Sequence, residues 1–152
     1  MNPVLLGSLA VVSGPLFVID VREHRLPNRW NAALAATGIL IHAVGAITAR
    51  DARPLVAAVV CGVVGLLGMA ALRLVVRGGL GLGDVKLVAA LGCVFADEFA
   101  LLATAVIAFV SAAVWSLPQL LVGRYRLGSR LAFGPFILLG AWVVIAVGLV
   151  RG

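Results

Sequence analysis

The chain has 152 residues, 63% of them hydrophobic, with a mean hydropathy of +1.18 and only 12% charged. A soluble domain covers its surface with roughly 25% charged residues. Here the charges gather in short clusters between long apolar runs, which excludes a water-soluble fold and calls for a lipid solvent. A net charge of +6 raises the question of nucleic acid. The basic residues flank apolar segments, however, so membrane lipids are the expected counter-charge and no nucleic-acid partner is expected.

Six apolar segments follow in order, at about 4–19, 30–49, 55–76, 84–96, 99–120 and 131–150. Most reach the roughly 20 residues needed to cross a ~30 Å hydrocarbon core. The first lacks the basic start and small-x-small site of a cleaved signal, so it reads as a spanning helix. The second opens on Trp30, suited to an interfacial anchor, and carries a lone His42, which fits an interhelical hydrogen bond better than a metal. In the third, Gly62, Gly65 and Gly68 recur every three residues and offer a smooth stripe for a neighbouring helix. A glycine-rich stretch, Gly78-Gly79-Leu80-Gly81-Leu82-Gly83, precedes the short fourth segment. Cys61 and Cys93 lie inside apolar runs, without a CxxC or a Cys/His cluster, and read as small buried side chains. Neither a metal site nor a cofactor is implied. The pattern predicts an all-α integral membrane protein, a single membrane-embedded domain over residues 1–152 with a bundle of about six transmembrane helices.

The basic residues choose an orientation. Arg22, Arg25, Arg29, Arg73, Arg77, Lys86, Arg124, Arg126 and Arg130 fall on one side, and Arg50, Arg53 and Arg151 on the other. The positive-inside rule therefore puts the odd-numbered loops in the cytoplasm and both termini outside.

Of the six acidic residues, Asp51, Asp97 and Glu98 lie on the outer loops and Glu23 sits among arginines, all with ordinary solvated roles. Asp20 and Asp84 differ, because each meets the boundary between an apolar segment and a cytoplasmic loop, and ionisable groups at membrane depth are usually functional. Counting 1.5 Å per residue from the outer ends puts Asp20 roughly 24 Å and Asp84 roughly 20 Å into a ~30 Å core. Both thus lie slightly below the cytoplasmic surface. Asp84 is expected to open a helix, where the N-terminal dipole favours a carboxylate; read blandly, it is only an N-cap. A non-helical glycine loop at this depth is tolerated where it lines protein or a wet cavity. Hydrolysis of a peptide by water uses one carboxylate to take a proton and a second to donate one. Two close carboxyls share a proton, because both do not ionise cheaply.

Gly81-Leu82-Gly83-Asp84-Val85-Lys86-Leu87, with Ala89, Ala90 and Gly92 after it, resembles the GxGD motif of the type 4 prepilin peptidases. Asp20 followed by Arg25-Leu26-Pro27-Asn28 is similar to that family's first-aspartate motif, and Phe133-Gly134-Pro135-Phe136 to its third element. The resemblance implies a membrane aspartyl endopeptidase of the bacterial inner membrane. Such an enzyme trims short basic leaders from pilin-like precursors, each a leader followed by an apolar helix, at the cytoplasmic face. It implies Asp20 and Asp84 as the catalytic pair, Gly81 and Gly83 as the loop shaping the site, and supporting roles for Pro27, Asn28, Lys86, Gly134 and Pro135. Larger members carry an N-terminal extension with paired CxxC motifs and also methylate the new N-terminus. This sequence shows neither that extension nor a nucleotide-binding glycine motif. It resembles the compact, protease-only type associated with Flp/Tad-like pili, and methyltransferase activity is not expected. Two other classes use the same residues: a small transporter with Asp20 and Asp84 as ion sites, and an assembly subunit in which both merely cap helices.

Overall fold

The computed structural model describes residues 3–23, 28–76, 80–121 and 132–151, and every regular element among them is a helix. In chain order these are α1 (Pro3–Glu23), α2 (Asn28–Ala49), α3 (Arg53–Val75), α4 (Leu82–Phe95), α5 (Glu98–Leu121) and α6 (Gly134–Arg151). The six predicted segments are thus six helices of an all-α protein. Four of them, α1, α2, α3 and α5, are long and apolar enough to cross a membrane. At 14 residues α4 extends only roughly 21 Å, and α6 starts at Gly134, three residues later than expected.

The short helix is the centre of the bundle. α4 packs against α3 and α2 and also touches α5 and α6, while α6 lies on α5 and α1. Its residues Val85, Leu87, Val88, Ala90, Leu91 and Val94 are all buried. A helix surrounded on most sides can be apolar nearly all round, and this is why α4 shows so little of a polar face.

Glycines set the close crossings. A Cβ on Gly92 of α4 would lie 2.5 Å from the Cys61 carbonyl oxygen of α3, one on Gly38 of α2 2.6 Å from that of Cys93, and one on Gly140 of α6 2.5 Å from that of Thr104. Backbones therefore touch backbones, as small residues permit in lipid-embedded bundles. The predicted α3 stripe is used in part. Gly62 and Gly65 face α4, whereas Gly68 is exposed with open space around it. Its neighbour Met69 is buried, so Gly68 points away from the packed face rather than lying past it.

His42 makes its expected interhelical bond, with Nε2 3.2 Å from the Val94 carbonyl oxygen. Cys61 and Cys93 are free thiols, the first buried and the second half-buried. Asp97 caps the start of α5, its Oδ1 accepting the Phe99 and Ala100 N–H groups at 2.8 and 3.0 Å. Trp30 lies in the first turn of α2, packs partly against the core, and has its indole nitrogen buried without a partner among the described residues. The arginines at 22, 25, 77, 124, 126 and 130 and His24 lie outside the residues whose side chains are described.

Candidate active site

Asp84 is placed by the turn before it. Gly81 is extended, with φ −66° and ψ 142°, and caps α4, which begins at Leu82. Asp84 is therefore the third residue of the helix rather than its opening residue. Glycine has no side chain with which to cap, and the carboxylate reaches back instead: the Gly81 N–H donates to Asp84 Oδ2 at 3.2 Å. A Cβ on Gly81 would come within 2.8 Å of that same oxygen, so the missing side chain leaves room for the carboxylate. Asp84 is 5% exposed.

Asp20 comes from α1. The helix continues to Glu23, so Asp20 lies within its last turns and not at its edge. It is 4% exposed. The N–H of Gly134, the first residue of α6, donates to Asp20 Oδ2 at 3.0 Å. The first N–H groups of a helix have no partner inside it and carry its positive end, so a carboxylate is a fitting acceptor. Pro135, next in line, has no N–H to leave unpaired and suits this first turn. Phe133 is buried in front of it, with ring centroids 4.9 Å from Phe109 and 6.5 Å from Phe136.

Both carboxylates are buried, and Asp20 lies within electrostatic reach of Asp84. Each has one oxygen held by a glycine N–H at the start of a helix. Residues far apart in the chain come near one another because α4 sits in the middle of the bundle, with α6 bridging it to α1.

Around the pair, the glycine-rich turn is held from outside. Arg73 of α3 donates through Nη1 to the Leu80 carbonyl, and Asn31 of α2 donates through Nδ2 to the Gly83 carbonyl at 3.2 Å. Asn31 is 3% exposed. Neither was singled out from the sequence for this purpose. Arg73 reads there as an orientation charge, and the only sign of Asn31 is an amide inside an apolar run, one turn past Asn28. Lys86 and Asn28, expected as support, pair with each other: Lys86 Nζ donates to Asn28 Oδ1 at 2.8 Å. Both are exposed, on a different face of α4 from Asp84. Gly83 lies in the first turn of α4. Pro27, Gly78 and Gly79 lie outside the described residues.

Among the described residues no three His, Cys, Asp or Glu side chains gather as a metal site requires. The arrangement offers paired carboxylates, backbone donors and a largely apolar surround. The model of the type IV leader peptidase family matches residues 5–117, a span that includes both aspartates but stops short of Gly134. The chain matches no curated relative and no solved structure. A match over most of the chain, on a multi-helix apolar bundle of the kind an inner-membrane protease requires, places the chain in the type IV leader peptidase family.

Proposed function

We propose that the protein is a membrane aspartyl endopeptidase in which Asp20 and Asp84 activate a water molecule to cut the short basic leader from pilin-like precursors, of the Flp/Tad-like kind, at the cytoplasmic face. The observation that carries this reading is the burial of two carboxylates, from α1 and α4, within electrostatic reach of one another. Two such groups hold one proton between them more readily than two charges. One takes a proton from water as it attacks the scissile carbonyl carbon, while the other gives its proton to the carbonyl oxygen. Collapse of the tetrahedral intermediate breaks the C–N bond and returns a proton to the leaving amine. The products are a leader with a new carboxylate and a mature chain with a new amine. The Gly81 N–H holds one oxygen of Asp84 and the Gly134 N–H one oxygen of Asp20, which fixes how the two carboxylates are presented to water and substrate. No methyl transfer is part of this reaction.

The test is co-expression with a pilin-like precursor, comparing wild type with Asp20→Asn and Asp84→Asn. Each variant removes one half of the proton exchange, and cleavage should fall by at least about a hundredfold while the protein still accumulates in the membrane. Normal trimming by either variant overturns the two-aspartate mechanism.

A further inference from the structure

Four polar side chains are buried among the described residues: Asp20, Asp84, Asn31 and Thr104. The carboxylates are accounted for by the proposed reaction. Asn31 is not, and its surroundings are unusual. Its Nδ2 donates to the carbonyl of Gly83, the oxygen of the very peptide unit whose nitrogen belongs to Asp84. Its Oδ1 is buried with no partner among the described residues.

An acceptor shut away from water without a donor is costly. A leucine has the same branched skeleton, is bulkier, and would leave no acceptor unpaired between α2 and α4. Packing alone therefore does not account for an amide here, and the donor half must supply the reason. The segment it grips shows why a donor is needed. From Leu80 to Gly83 the chain carries two glycines, which have no side chains with which to anchor their own backbone. Two carbonyls of this segment are instead held from neighbouring helices, Leu80 by Arg73 of α3 and Gly83 by Asn31 of α2. The exposed Lys86–Asn28 pair lies on another face and does not take over this task.

We propose that Asn31 is a positioning residue for the cleavage reaction: its amide pins the Gly83–Asp84 peptide and so sets the approach of the Asp84 carboxylate to Asp20. This rests on the catalytic reading of the aspartates given above. Rates of this kind of chemistry fall steeply when a reacting group shifts by about 1 Å, whereas substrate binding along the rest of the protein is little affected.

The experiment compares full-length wild type, Asn31→Leu, Asn31→Asp and Asp84→Asn in liposomes, with a leader-bearing precursor that the wild type trims. Asn31→Leu should melt close to the wild-type temperature, extra bulk offsetting the relieved acceptor, yet lose at least about tenfold in kcat with KM within about twofold. Asn31→Asp is isosteric but donates only while protonated, so its rate relative to wild type should rise as pH falls. Arg29 on α2, Asp84, Lys86 and Cys93 on α4, Arg73 on α3 and Asp20 on α1 are the other ionisable groups of this region and are common to both proteins. Wild-type kcat in Asn31→Leu, or a loss no larger than its loss of folded protein, overturns the proposal, as does an Asn31→Asp rate that tracks wild type across pH. An inactive Asp84→Asn beside a normal Asn31→Leu removes only the role of Asn31. A normal Asp84→Asn removes the catalytic pair and this role with it.

Discussion

A carboxylate oxygen fits beside Gly81 only because that residue lacks a Cβ. Alanine there accepts the backbone, since φ is −66°, but its methyl group would displace Asp84 Oδ2. Gly81→Ala should therefore fold with a stability change within about 1 kcal/mol, and lose roughly ten- to a hundredfold in cleavage rate through misplacement of the acid. Cleavage kinetics beside a melting curve in detergent separate the two effects, and an unchanged rate would show that Asp84 need not sit where it does. At this scale the sequence was legible where a residue carries its chemistry with it. Asp20 and Asp84 stand out as carboxylates at the ends of apolar runs. Asn31 and Arg73 did not stand out as holders of the loop, because their effect depends on which carbonyl lies opposite, across helices that share no local sequence.

Between elements the decisive quantity is the distance at which two backbones cross. Gly92→Ala drives a methyl group into the Cys61 carbonyl, which has no rotamer to escape into, and should destabilise the α3–α4 pair by about 1–3 kcal/mol. Gly68→Ala, on the same α3 stripe but facing open space, should be neutral or gain up to about 1 kcal/mol from helix propensity. Equal effects on the melting temperature in detergent would mean that α3 and α4 do not cross at Gly92. Ala96 ends α4 with φ 51° and ψ 31°, left-handed angles that cost a residue with a Cβ. Ala96→Gly should relieve that and stabilise the protein by about 1 kcal/mol, measured in the same way. The glycine stripe in the sequence announced that α3 has a close neighbour. It did not say that the neighbour is α4, nor that Gly68 faces open space, since periodicity along one helix carries no information about where a second helix crosses it.

For the whole molecule the open quantity is orientation. Nine basic residues border one membrane face and three the other, which predicts both termini outside and the active site toward the cytoplasm. Reporter fusions test it. Alkaline phosphatase joined to the C-terminus should be active, and joined within the segment between α5 and α6, which contains Arg124, Arg126 and Arg130, it should be inactive. The reverse pattern would put the aspartates at the opposite face and exclude a leader held in the cytoplasm. The bundle also gives the short α4 its significance. A helix of 14 residues is stable in the middle of the bundle because its neighbours, rather than lipid, surround it.

Composition and hydropathy alone determined that the chain lives in lipid as a set of helices, and roughly where each begins. A backbone in hydrocarbon must satisfy its own hydrogen bonds, which leaves an apolar run of this length little other choice. The same letters marked Asp20 and Asp84 as out of place. Only the tertiary structure decided that the two carboxylates are buried within electrostatic reach of one another, that glycine amides from the starts of α4 and α6 hold them, and that Asn31 and Arg73 brace the turn between α3 and α4. Those bonds join residues distant in the chain, and their geometry follows from how six helices pack, a property that no single segment encodes.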